Sequence, residues 1–219
     1  MKGSFNESVD SNLENKNSIE IKEREWDKLP EALGEKQQLD SLPNEISKES
    51  IEAYEKRMAD IERTQLCIEA YESNLLSKPE EWETLSEPEK KEQIKLYADE
   101  VSKALDLREY EIQYEDWPSL RRGSFDGSIV RINSDVLENN SDYREEIVDT
   151  ISHELRHAFQ REACHNPEKY GVDKTTAAIW KYNFEHYITY EMWSQGYFEQ
   201  AVEEDASAFS SGIIGGLEK

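Results

Sequence analysis

Residues 147–160 read IVDTISHELRHAFQ, and the rest of the chain is interpreted outward from this stretch. Its apolar residues recur at three- and four-residue spacing and fall within an arc of about 120° on a helical wheel. They are Ile147, Val148, Ile151, Leu155, Ala158 and Phe159. His153 and His157 lie outside that arc, on a flank with Thr150. The pattern predicts a helix over residues 144–161 that buries one side and turns its histidine side towards a cleft.

The histidine side of this helix has the spacing of a metal site. His153 and His157 are four residues apart, so on a helix they lie on one face, one turn from each other. Two imidazoles in this arrangement can both reach a zinc ion at the usual Zn–N distance of about 2.0–2.1 Å. Glu154 completes an H-E-x-x-H pattern and is the expected base that takes a proton from water beside the metal. The pattern predicts Zn²⁺ as the cofactor and hydrolysis as the chemistry.

A catalytic zinc site needs a third protein ligand. The extended pattern with a third histidine is excluded, because Gln160 and Ala163 occupy its glycine and histidine positions. His165 and His186 remain in the chain but lack the expected spacing. Thr150 and Gln160 flank the motif and could contact the groups that surround the ligands, although solvent or capping contacts are the commoner role.

The preferred third ligand is acidic and lies on the last predicted helix, residues 197–211, which is expected to end at Gly215-Gly216. The apolar stripe of this helix consists of Val202, Ala206, Phe209 and Ile213. Glu203 and Asp205 lie at the two borders of the stripe, where a side chain can turn into a cleft, whereas Glu204 faces solvent. Glu199, one turn before Glu203, is the alternative ligand.

The combination of HELRHAFQ at 153–160 and YFEQAVEEDASAF at 197–209 resembles the gluzincin group of zinc metallopeptidases. It is most similar to small bacterial zincin-like domains, including the peptidase-like domains of phage-repressor antagonists. In that group the Glu of E-x-D-A is the third metal ligand, which maps onto Glu203. Residues 128–133 resemble the edge strand that pairs with an extended substrate in zincins. The resemblance covers about residues 87–215.

What the resemblance implies is an α+β, zincin-like fold in which helices pack on a small mixed sheet. It also implies a metallopeptidase that cleaves a protein or peptide. Tyr187, Tyr190 or Tyr197 could donate a hydrogen bond to the developing oxyanion, although aromatic packing is the commoner role. Two alternatives stay open: a non-catalytic zincin-fold binding or sensor module, and a secreted effector or toxin peptidase. Glu154 argues against the first, because a purely structural metal site needs no base.

The chain divides into three parts on composition. Residues 1–45 are acidic and polar and are expected to be disordered or loosely helical. Residues 46–78 form a helical arm with an apolar stripe at Ile51, Tyr54, Met58 and Ile61, which could dock a partner or chaperone or pack on the domain that follows. Residues 79–219 are the expected zincin-like domain.

Local signals place the elements before the motif. Ser86 with Pro88 predicts a helix start, and that helix should end near Asp106. Tyr110, Ile112 and Tyr114 alternate with polar residues, as in a strand. Asp126-Gly127 predicts the turn of a hairpin between residues 121–125 and 128–132.

The bulk properties exclude several partners. The net charge of −23 repels nucleic acid and anionic membrane surfaces. Cys67 and Cys164 are too few for a disulfide framework and are expected to be free thiols in a reducing compartment. The N-terminus lacks the apolar run of a secretory signal. These features predict a protein that is cytoplasmic as synthesised, with export by a route without a cleavable signal left open.

Overall fold

Eight α-helices, two short 3-10 helices (Leu75–Ser77 and Ser134–Leu137) and three strands lie in the parts of the chain that the computed structural model describes, residues 48–117, 121–138 and 143–217. Residues Ile46–Lys219 form one compact unit, whereas the predicted segment 1–45 lies outside the described residues. The helices are α1 Lys48–Ser73, α2 Pro79–Trp82, α3 Glu87–Ala104, α4 Tyr143–His165, α5 Pro167–Tyr170, α6 Lys174–Glu185, α7 Ser194–Phe198 and α8 Ala201–Leu217; the strands are β1 Glu111–Glu115, β2 Gly123–Phe125 and β3 Ile129–Asn133. This mainly helical unit with a small mixed sheet confirms the α+β class. None of the described helices is long and apolar enough to cross a membrane.

The motif helix α4 lies at the centre of the packing, in contact with α3, α6, α8 and the sheet. All six residues of its predicted apolar arc are buried. The helix runs four residues further than predicted, to His165. Burial of one whole side positions the opposite flank, which carries the two histidines.

The sheet has the order β1-β3-β2, with β1 parallel and β2 antiparallel to β3. The predicted hairpin is confirmed, and Gly127 in its turn has φ 104°, a left-handed conformation that glycine adopts without strain. The interpretation of residues 128–133 as an edge strand is wrong, because β3 is paired on both sides. β3 carries the fully buried Val130 and Ile132, and a central position keeps both covered. The edge strand beside α4 is β2.

Helix α3 begins where its sequence signals predict. The backbone N–H of Ser86 donates to the Glu89 carboxylate at 2.8 Å, which completes a capping box with Pro88 in the first turn. The helix ends at Ala104, and Asp106 follows with φ 55°. Its buried side packs on α1 and α4, so α3 links the helical arm to the motif helix.

Helix α1 confirms a helix within the predicted segment 46–78, but its apolar stripe is divided. In its first half Tyr54, Met58 and Ile61 are exposed, whereas in its second half Cys67 is fully buried and Ile68 packs against the core. Among the side chains that the structure describes, those of the second half therefore have the apolar partner that the stripe requires, and α3 and α8 provide it.

The last helix differs from its prediction at both ends. Residues Ser194–Phe198 form the separate helix α7, and α8 begins only at Ala201. Between them the Gln200 side chain bonds both backbone groups of Ile188, which stabilises the break. The expected end at Gly215-Gly216 is also wrong, because α8 continues to Leu217. Gly216 faces Ile68 of α1, so packing between the two helices keeps the glycines helical.

Candidate metal centre

Three predicted ligands come together between α4 and α8. His153 Nε2 lies 3.1 Å from His157 Nε2 and 3.2 Å from Glu203 Oε2, and His157 Nε2 lies 3.3 Å from Glu203 Oε1. Glu203 is almost fully buried and the side chain of His153 is 18% exposed. The first histidine is therefore the part of the cluster nearest to solvent, and these three residues form a group that could hold a metal ion.

The spacing of the cluster fits a zinc ion. Donors at about 2.0–2.1 Å from a tetrahedral zinc lie about 3.3–3.4 Å from one another. The two imidazole nitrogens are 3.1 Å apart, and they lie 3.2 and 3.3 Å from different oxygens of Glu203. Two imidazole nitrogens and one carboxylate are also the ligand set of many catalytic zinc sites, which leave the fourth position open. Both the donor chemistry and the closeness of the donors are thus compatible with a bound metal ion.

The other candidate ligands lie apart from this cluster. Glu199 is exposed and accepts a hydrogen bond from Gln195. His165 and His186 are exposed, and each uses its Nδ1 on a backbone carbonyl of its own helix. Both cysteines are free, and burial raises the pKa of Cys67 to about 12, which keeps it a neutral thiol. The cluster that the structure describes contains none of these groups.

The charges within the cluster favour a cation. Burial acts to raise the pKa of Glu203, but hydrogen bonds with His153 and His157 outweigh it and hold that pKa well below its usual range. Burial likewise acts to lower the pKa of His157, and the carboxylates of Glu203 and Glu154 outweigh it and raise that pKa. The buried carboxylate therefore stays ionised, as a metal ligand must be.

Glu154 lies beside the cluster in a site that β2 helps to form. It is buried, and burial raises its pKa, although the charges of His157 and His153 oppose the rise. A Cβ atom added at Gly123 would lie 2.8 Å from Glu154 Oε1 and 2.6 Å from Thr150 Cγ2. The glycine thus provides the space that the carboxylate occupies. Thr150 is itself buried, so its expected solvent or capping contact is wrong.

Gln160 fixes the orientation of the second histidine. It does so in place of the solvent or capping contact that was its commoner expected role. The side chain is fully buried, and its Nε2 donates to the carbonyl of Val202 at 2.9 Å and to Asp205 Oδ2 at 2.7 Å. The amide oxygen must then face His157, where Nδ1 donates to Oε1 at 2.9 Å. Because Nδ1 carries this hydrogen, Nε2 is the nitrogen through which His157 would bind a metal ion. The sequence carries one signal for this contact. Gln160 follows His157 by three residues, and residues three apart on a helix are neighbours.

Tyr187 lies in the aromatic segment between α4 and α8 and contacts the cluster. Its hydroxyl donates to Glu203 Oε1 at 2.5 Å. Burial, and then the charge of Glu203, raise the pKa of Tyr187. The ring of Tyr197 meets that of Tyr187 edge-on and also contacts Tyr190 and Phe198. Tyr190 and Phe198 are exposed, so this aromatic segment extends from the cluster to the surface.

Comparisons of the chain with protein-family models, with curated proteins and with solved structures find no match. The function is therefore argued from the chemistry of the cluster.

Proposed function

We propose that this protein is a zinc metallopeptidase of the gluzincin type. His153, His157 and Glu203 are the metal ligands, and Glu154 is the general base. The observation that carries the proposal is that ligand atoms of His153, His157 and Glu203 lie within 4.8 Å of one another, with the buried carboxylate of Glu154 beside them. A module that only held a metal would not need Glu154 in that position, so catalysis is favoured over the binding or sensor alternative.

The residues around the cluster have the roles that amide hydrolysis requires. Bound zinc supplies Lewis acidity, which lowers the pKa of a water molecule and polarises the substrate carbonyl. Glu154 accepts the proton of that water and passes it to the leaving amine. Its burial favours the protonated form, which helps it to retain the proton between the two transfers. The Tyr187 hydroxyl, which donates to Glu203 in the free protein, would turn from that carboxylate to donate to the developing oxyanion.

The proposed substrate is a protein or peptide bound as an extended strand. The strand that it joins is β2, because β3 is paired on both sides and β2 is the edge strand that contacts α4. A substrate backbone that adds to β2 would run past Gly123, which is adjacent to Glu154. Backbone hydrogen bonds would give affinity, as in other cases of strand addition.

The decisive experiment is elemental analysis of the purified protein after zinc is supplied. The wild type should hold one zinc per chain, and both His153→Ala and Glu203→Ala should lose it. Glu199→Ala is the matched control from the adjacent turn and should keep the metal. A wild type without zinc, or Glu203→Ala with its zinc intact, would overturn the ligand assignment.

Catalysis is tested separately from metal binding. Glu154→Gln should keep its zinc and lose about 10²- to 10⁴-fold in the rate of peptide hydrolysis, because it cannot accept a proton. The assay uses a mixture of peptides with cleavage followed by mass spectrometry. Cleavage by Glu154→Gln at the wild-type rate would assign the activity to a contaminant or to another residue.

A further inference from the structure

The helical arm lies outside the region of resemblance, yet α1 contributes a carboxylate to the packing behind the metal centre. Arg156 lies between the two histidines in sequence and is 3% exposed. Its Nε and Nη2 donate to Asp205 of α8 at 2.8 and 2.9 Å. Its Nη1 and Nη2 donate to the two oxygens of Asp60 of α1, both at 3.2 Å. A single buried guanidinium is thus held by a carboxylate on each side.

Asp60 is itself held in place. Arg63 donates to Asp60 Oδ1 at 2.9 Å and uses its other nitrogen on the carbonyl of Tyr170 at 3.0 Å. Burial acts to raise the pKa of Asp60, but the charge and hydrogen bonds of Arg156 and Arg63 outweigh it and lower that pKa. Asp60 is therefore an ionised and oriented partner of Arg156.

The same network continues to a metal ligand. Asp205 Oδ2 accepts both from Arg156 and from Gln160 Nε2. Gln160 in turn accepts from His157 Nδ1. Each link is a hydrogen bond of 3.2 Å or less, so the contacts run without a gap from Asp60 through Arg156, Asp205 and Gln160 to the histidine.

We propose that Asp60 is a positioning residue for the metal centre, and that α1 is therefore a functional part of it. This inference rests on the proposed function. With Asp60 neutralised, Arg156 is held from one side only and can turn, and Asp205 moves with it. Gln160 then keeps the carbonyl of Val202 but loses Asp205, the second of the two acceptors that fix its amide. A flipped amide would present its NH₂ group to His157 Nδ1, which favours hydrogen on Nε2 and blocks metal binding there.

The test measures zinc affinity in the full chain by competition with a chromophoric chelator. Asp60→Asn should bind zinc about three- to tenfold more weakly, less than the 10- to 100-fold typical of a direct partner of a metal ligand. Glu62→Gln, an exposed carboxylate on the same helix, is the matched control and should bind as the wild type does. Equal affinity in wild type and Asp60→Asn would overturn the inference. Absence of zinc binding in the wild type would instead overturn the proposed function.

A second measurement separates positioning from support of the fold. Gln160→Met removes the amide through which the effect must pass, so adding Asp60→Asn in that background should weaken zinc binding by less than twofold. An equal loss in both backgrounds would show that Asp60 does not act through Gln160. If Gln160→Met does not fold, the absorption spectrum of bound Co²⁺ is used to decide whether Asp60 positions the metal ligands. The spectrum should change in Asp60→Asn and not in Glu62→Gln, and an unchanged spectrum in both would contradict the positioning role.

Discussion

Gly123 is the residue whose substitution tests most directly how Glu154 is positioned. A methyl group at residue 123 would overlap the Glu154 carboxylate and Thr150, so one of these side chains must move. Because displacement by about 1 Å can cost about 10²-fold in rate, Gly123→Ala should lose at least about tenfold in kcat/KM for peptide hydrolysis. Its zinc content should be unchanged, since the three atoms nearest to the added methyl group belong to Thr150 and Glu154 and not to a ligand.

Ser124→Ala, on the same strand, is the control for Gly123→Ala and should keep the wild-type rate. Loss of zinc together with activity in Gly123→Ala would instead mean that β2 supports the ligands. Full activity in Gly123→Ala would mean that the position of Glu154 is not set by this contact.

Sequence periodicity was sufficient to place the residues of the site that lie on α4, but not to choose the acidic residue that follows them in the chain. His153, Glu154 and His157 lie within one helix, so a wheel of that helix fixes the direction of each. The choice between Glu199 and Glu203 depended on an uninterrupted last helix. The break between α7 and α8 removes Glu199 from the helix that carries Glu203. Gln160 was misjudged for a similar reason, because its acceptors come from α8.

At the scale of elements, local signals predicted the hairpin, the start of α3 and the buried side of α4. The position of β3 within the sheet was not predictable in the same way. Its parallel partner β1 is distant in sequence, with β2 between them, and no turn signal encodes that pairing. The end of α8 was missed because tertiary packing on α1 overrides the low helix propensity of Gly215 and Gly216.

The packing of α8 on α1 can be tested with this pair of adjacent glycines. A Cβ atom at Gly215 meets no atom within 4 Å, so Gly215→Ala should raise the free energy of unfolding by about 0.5–1 kcal/mol through helix propensity. A Cβ atom at Gly216 would lie 2.3 Å from Ile68 Cδ1. Gly216→Ala should therefore be less stable than Gly215→Ala by about 1 kcal/mol, as Ile68 changes rotamer. Urea unfolding of the two variants measures the difference, and equal stabilities would indicate that α1 and α8 are not in this contact.

At the scale of the whole molecule, zinc should stabilise the fold because its ligands come from two helices. A ligand that binds only the native state at about 100 times its Kd adds about 2.7 kcal/mol to the free energy of unfolding. Addition of zinc to the metal-free protein should produce this gain, and a chelator should remove it. His153→Ala, which lacks one ligand, should show no such gain. Stabilisation of that variant to the same extent would assign the effect to zinc bound elsewhere.

The network around Arg156 predicts a pH dependence of stability that does not involve the metal. The folded-state pKa of Asp60 is lowered below the value of about 3.9 that it has in an unfolded chain. A group whose pKa is lowered on folding stabilises the protein at pH values above its unfolded-state pKa. This stabilisation is lost as the pH falls through its folded-state pKa. Because the Asp60 side chain is 46% exposed, solvent screening limits the contribution to about 1 kcal/mol at pH 6.

Asp60→Asn lacks this contribution at every pH. The difference in free energy of unfolding between wild type and Asp60→Asn should therefore be largest near pH 6 and shrink steadily towards pH 3. Urea unfolding of the metal-free proteins at several pH values measures it, with Glu62→Gln as the exposed control that should follow the wild type throughout. A difference that stays constant with pH would mean that Asp60 stabilises α1 through its shape and neutral hydrogen bonds. A difference that vanishes on acidification would mean that its charge holds Arg156, and with it α1, against the metal helix.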